Sequence, residues 1–122
     1  MAARIRRRDD ELPLSPPVLY VLLAVADHQL HGYAIMQEVE RKTDGKIRLL
    51  PGSLYSTIKR MLSAELITEC AAGGEPDEDP RRRYYLITDY GRRIAAAELD
   101  RMATLIDLAA DKDLVARPAE SE

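Results

Sequence analysis

PGSLYSTIKRMLSAELITEC (51–70), AAGGEPDEDP (71–80) and RRRYYLIT (81–88) form the stretch that decides the fold. Leu54, Ile58, Met61, Leu62 and Leu66 recur at spacings of three and four, and Pro51 opens a helix without forfeiting a bond, with Ser53 near the cap. The opposite face of that helix carries Ser53, Ser56, Thr57, Lys59, Arg60 and Ser63. Two short apolar runs follow, Leu66 to Ala71 and Arg82 to Thr88. They are separated by GGEPDEDP, all turn formers and acids, so together they predict a hairpin with a long tip.

Working outward, Ser15-Pro16 reads as a helix start, with the serine as cap, and the helix should run from Pro16 to Asp27. Its stretch VLYVLLAVA is apolar on every side and must be covered on more than one face, which predicts a partner beyond its own small domain. Gly32 leads into a second helix, Tyr33 to Thr43, ended by Asp44-Gly45; Lys46 to Leu50 is short and extended. Beyond the hairpin, Thr88 caps a helix from Asp89 to Lys112. On it Ala95, Leu99, Met102, Ile106 and Ala109 alternate spacings of four and three, the seam of a helix pair. Three helices before a hairpin predict a mainly α chain with a small β-hairpin, a winged helix-turn-helix plus a C-terminal dimerisation helix. The expected divisions are a disordered basic arm at 1–12, the winged domain at 13–88, the dimerisation helix at 89–112 and a disordered tail at 113–122.

The chain has 122 residues and a net charge of −3, with 46% hydrophobic and 32% charged residues, no Trp, no Phe and six Tyr. That length excludes a second catalytic domain, and the core must be aliphatic. The longest apolar run, Val18 to Ala26, is too short for a membrane helix, and the arginine-rich start lacks the features of a signal peptide, so a cytoplasmic location with no membrane partner is expected. Cys70 is the single cysteine, which excludes an internal disulfide and a cysteine cluster for zinc.

Charge is segregated. Residues 1–8 hold four arginines and no acid, and Lys46, Arg48, Lys59 and Arg60 lie in an acid-free span from 46 to 64. Acids gather at Glu75 to Asp79 and toward the end of the chain. One positive face on an acidic molecule is the electrostatic footprint of a nucleic-acid binder. The third helix supplies small hydroxyls for base edges and cations for phosphates through Gly52, Ser53, Tyr55, Ser56, Lys59 and Arg60. Tyr33 offers a phosphate donor from the start of helix 2. In the arginine block, alternation sends Arg81 and Arg83 one way and Arg82 the other, so Arg81 or Arg83 is expected on phosphate or in the minor groove. By the same alternation one of Tyr84 and Tyr85 is buried and the other exposed. The partner expected is double-stranded DNA; the alternative is a winged-helix protein-interaction module, which has no need for an acid-free basic face.

His28 and His31, with Asp27, have a spacing that could hold a metal, but no third strong ligand lies close by in sequence, and they are expected to shape the turn between helices 1 and 2; no metal and no cofactor are expected. No nucleophile, base and orienting group can be picked out, so no catalytic residue is assigned. Cys70 reads as a small buried hydrophobe.

HGYAIMQEVE, LLPGSLYSTIKRMLSAELI and RRRYYLITDYGRR resemble the PadR family of bacterial transcriptional regulators over residues 14–110. There HGY opens helix 2, PG-x-LY opens the recognition helix, LI begins the wing, and an arginine-rich (R/K)-YY-x-(L/I)-T-x-x-G segment closes it. The family commonly shows glycine before LI, where this chain has Ala64-Glu65-Leu66. The resemblance implies a homodimeric repressor of the small subfamily, paired through its last helix. We expect Leu19, Leu22, Leu99, Met102, Leu105, Ile106 and Ala109 at that seam. It further implies relief by a small apolar effector between the subunits, walled by Val18, Leu19, Leu22, Leu99 and Met102, although without Trp or Phe to stack on a ligand the seam would equally close dry.

Overall fold

A computed structural model of the chain describes residues 13–70 and 82–116. The expectations for the arm at 1–12, the wing tip, Arg81 and the tail from 117 lie outside the described residues. The elements are α1 (Pro16–Ala24), β1 (Leu30–His31), α2 (Gly32–Lys42), α3 (Pro51–Ser63), β2 (Ile67–Cys70), β3 (Tyr84–Ile87) and α4 (Asp89–Asp111).

α1 is the centre of the domain. Val21, Leu22 and Val25 are fully buried, and α2, α3 and α4 of the same chain pack around it. Of these, α4 lies beyond the winged domain and supplies cover from outside it, as expected for a helix apolar on every side; Leu23, at 49% exposed, is its open apolar residue. The helix also stops at Ala24, short of Asp27. Ser15 is the N-cap residue but makes no side-chain bond. The cap hydroxyl accepts from the second or third helical N–H, and Pro17 removes the second.

The sheet has three strands, ordered β1-β3-β2 and antiparallel throughout. β3 pairs with β2 through Ile67↔Ile87 to Cys70↔Tyr84, and β1 adds Leu30↔Tyr85 and His31↔Tyr84 on its other edge. Because β3 is central, both Tyr84 and Tyr85 are buried, against the expected split. Tyr85 joins the main core, and Tyr84 lies edge-on to His31, 5.4 Å between ring centroids.

Two glycines are fixed by close approach. A Cβ on Gly91 would stand 2.1 Å from the Leu66 carbonyl oxygen, and one on Gly32 would stand 2.5 Å from the Tyr55 hydroxyl. Thr88 joins the wing to α4: its Oγ1 accepts from Gly91 N at 2.8 Å as the cap and donates to Glu65 O at 2.6 Å. The T-x-x-G segment is therefore one joint, with the hydroxyl bridging and the glycine making room.

α4 ends with Leu114 N donating to Ala109 O and Asp113 N to Ala110 O, so residues 113 and 114 close the helix rather than begin a disordered tail. Among the described residues, no helix is long and apolar enough to cross a membrane.

Candidate nucleic-acid interface

α3 buries Leu54, Thr57, Ile58 and Met61 and turns Gly52, Ser53, Tyr55, Ser56, Lys59 and Arg60 outward. Thr57, expected on the polar face, is 4% exposed, and Arg60 reaches back toward its hydroxyl at 3.5 Å. Leu50 occupies the N-cap position without a side-chain bond, and Ser53 donates to Leu50 O at 3.2 Å instead of capping. The first N–H groups of α3 thus receive no side-chain cap, and the outward helix face carries no acid.

The start of α2 meets that face. His31 caps α2, its Nδ1 accepting from Ala34 N at 3.2 Å. The absence of a side chain at Gly32 lets Tyr55 lie across the α2 terminus, and Tyr33 stands beside it, so that both phenols are exposed, Tyr33 by 57% and Tyr55 by 51%.

The base of the wing completes the site. Arg83 Nη1 donates to Glu69 Oε2 at 2.6 Å, across the β2–β3 pair, and this bond and the charge of Glu69 hold the guanidinium more firmly protonated still. Arg82, assigned by alternation to the other side, instead places Nη1 3.1 Å from His31 Nε2. A pocket of about 280 Å³ is lined by His31, Gly32, Tyr33, Tyr55, Arg82, Arg83 and Tyr85. Burial first, then Glu69, push the Tyr85 phenol up, so it stays a neutral hydroxyl.

The structure thus brings Tyr33, Tyr55 and Arg83 together, with Ser56, Lys59 and Arg60 further along α3. Sequence reasoning missed His31, Arg82 and Glu69 at this place. Only the HGY motif signalled His31, and the strand alternation used for Arg82 does not hold before β3 begins at Tyr84. Cys70 is half-buried and donates to Gln29 Oε1 at 3.2 Å; burial first, then Glu69, raise its pKa, which disfavours a reactive thiolate. His28 pairs with Asp27 at 2.9 Å on the surface.

The residues expected at a subunit seam divide. Leu19 and Leu22 are 7% and 0% exposed within the chain itself, so they have little surface to give a partner. Val18 is likewise in the core, at 8%. On α4, Leu99, Leu105 and Ile106 are exposed, with Met102 and Ala109 half-buried.

The family model of the transcriptional regulator PadR-like family matches residues 21–97. An uncharacterized 37.1 kDa protein in a transposon of Streptomyces fradiae is 36% identical over 87 residues, covering 71% of this chain and 23% of that protein. The chain spans less than two thirds of the length of the curated relatives it matches, 23% and 64%. Among solved structures, a PadR family transcription regulator from Clostridium difficile matches with a TM-score of 0.67 at 20% identity, over 80% of this chain and 97% of that one. Bacillus subtilis PadR in complex with operator DNA matches with a TM-score of 0.59 at 17% identity, over 71% of this chain and 48% of that one. At such identities the likeness is one of fold, and it extends to the winged-helix arrangement.

Proposed function

The chain belongs to the transcriptional regulator PadR-like family, and from that membership we propose that it binds duplex DNA sequence-specifically as a homodimeric repressor. One observation carries the reading: α3 presents Gly52, Ser53, Tyr55, Ser56, Lys59 and Arg60 on an acid-free exposed face, beside the phenols of Tyr33 and Tyr55 and the wing arginine Arg83. Hydroxyls near the helix start suit base edges, and the cations beyond them suit phosphates on either side of a groove. That a neighbour of the same fold, Bacillus subtilis PadR, was solved in complex with operator DNA supports DNA as the partner. Residues 13–88 would read the DNA, and 89–112 would pair the subunits.

Of the residues that would wall an effector cavity, Val18, Leu19 and Leu22 are packed into the chain's own core and Leu99 and Met102 retain exposed surface, so relief by a small apolar effector would draw mainly on α4. The test is binding to fragments enriched from the source genome by the purified protein. Lys59→Ala with Arg60→Ala should weaken every duplex and flatten the salt dependence, whereas Ser56→Ala should cost about 1 kcal/mol on the preferred sequence alone. A folded double variant that retains operator DNA unchanged would overturn the assignment.

A further inference from the structure

Apart from Leu23, the large apolar side chains left exposed among the described residues fall into two groups. One lies on α4 and the segment that follows it; the other is Tyr33, Leu50 and Tyr55, at the starts of α2 and α3. Leu50 is the most open of these three, at 65%. It holds the N-cap position of α3 in an extended conformation, φ −87° and ψ 146°, just before the helix begins at Pro51. Its carbonyl oxygen accepts from Leu54 N at 2.8 Å and from the Ser53 hydroxyl at 3.2 Å, so the backbone is fixed where the side chain leaves it. That position favours Ser, Thr, Asn or Asp, and a leucine there cannot cap. Nor does it serve the core: Leu49 packs against the buried cluster and Leu50 does not.

Tyr33 connects Leu50 to the face already described. It lines the groove that Leu50 shares with Met36 and Pro51, and it also lines the pocket that holds Tyr55 and Arg83. Leu50 therefore extends the outward surface of α3, within the span from 46 to 64 that has no acid. The carboxylates of the groove, Glu40 and Asp44, belong to the other end of α2 and the turn after it, and Glu40 pairs with Arg48 at 3.6 Å. Gly52, with open space where a Cβ would stand, and Ser53 keep the tip of α3 slender behind the leucine. Phosphates give a leucine nothing to pack on. In the major groove the base edges offer one apolar group, the C5-methyl of thymine. We propose that Leu50 is a specificity residue that packs on the methyl of one thymine in each half-site. The proposal rests on the DNA-binding reading above and deepens it from a basic face to a base which that face selects.

The test uses the full chain and the tightest duplex recovered from the genomic enrichment, with thymines replaced one at a time by uracil, which removes the methyl and keeps every hydrogen-bonding group. The parent should lose about fourfold in affinity at one thymine position of each half-site, the worth of one buried methyl. Leu50→Ala should melt as the parent does, bind the unmodified duplex about fourfold more weakly for each half-site, and be indifferent to uracil at that position. Its salt slope should match the parent's, because no charge changes. Leu50→Met, which keeps an apolar side chain of similar reach, should keep the uracil penalty. A penalty as large in Leu50→Ala as in the parent would overturn the contact, since another group would then be reading the methyl. No penalty at any thymine in the parent, while Lys59→Ala with Arg60→Ala still weakens binding, would also overturn it and leave the DNA reading intact. Unchanged binding in the folded Lys59/Arg60 double variant would instead sink the DNA reading itself.

Discussion

Glu65 occupies a backbone position that suits glycine. Its φ of 63° is left-handed, as are those of Asp44 (53°) and Asp113 (60°), and each follows the cap residue of a helix. All three close the same paired bonds: Gly45 N to Glu40 O, Leu66 N to Met61 O and Leu114 N to Ala109 O, each with a companion spanning three residues, Asp44 N to Arg41 O, Glu65 N to Leu62 O and Asp113 N to Ala110 O. A left-handed residue with a Cβ costs about 1 kcal/mol, and at Glu65 burial of Leu66 against Met61, together with the Thr88 hydroxyl on Glu65 O, holds it there. Glu65→Gly should therefore raise stability by about 0.5–1 kcal/mol in thermal melts, and Glu65→Ala, which loses the same side chain but keeps the strain, should not. A second residue-scale expectation concerns Glu69, which holds Arg83 at 2.6 Å on the face proposed for DNA. On that reading its carboxylate would compete with phosphate and repel the duplex. Glu69→Gln should tighten binding to unrelated duplexes about two- to fivefold and steepen the salt slope by about 0.9; an unchanged slope would show that Arg83 points away from the phosphates.

At the scale of elements, long periodic segments were legible and short or oddly composed ones were not. The three-and-four spacing from Leu54 to Leu62 placed α3, and Thr88 placed the start of α4, because a hydroxyl followed by an apolar stripe has few other uses. β1 was invisible, since its two residues have no periodicity to read, and its pairing with β3 is what buried Tyr84 as well as Tyr85. The same unseen strand brought His31 to Arg82, a juxtaposition that the strand alternation read for the arginine block did not anticipate. Glu98 misled by type: it is 1% exposed, four residues after buried Ile94, and its position on the apolar stripe of α4 was overlooked because it is charged. Its carboxylate accepts from Leu14 N at 3.2 Å and from Arg101 through Nε at 3.0 Å and Nη2 at 2.8 Å. A buried charge satisfied on both oxygens is tolerated, and here it ties the segment before α1 to α4.

For the whole molecule, the decisive feature is that α4 outruns its own domain. Ile94, Ala95 and Glu98 are buried, and the residues seven or eleven positions on from them lie on the same helical face: Arg101, Met102, Leu105, Ile106 and Ala109. After Arg101 that face is apolar and open: Leu105 and Ile106 are 55% and 43% exposed, and Leu108, 57% exposed, widens it. A monomer rarely leaves such a surface open, and a two-fold pairing covers it twice with one set of residues. Leu105 and Ile106, unlike Leu19 and Leu22, can be changed without opening the chain's own core. The double change Leu105→Asp with Ile106→Asp should give folded monomers in sedimentation, with helical content retained and a melting temperature that no longer depends on protein concentration. Such monomers should also lose the advantage of a duplex carrying two half-sites about one helical turn apart over a duplex carrying one, since only a dimer places two copies of α3 at that spacing. A folded dimer with both aspartates in place would show that the subunits pair through another surface, and the exposed Leu23 of α1 would be the next residue to change.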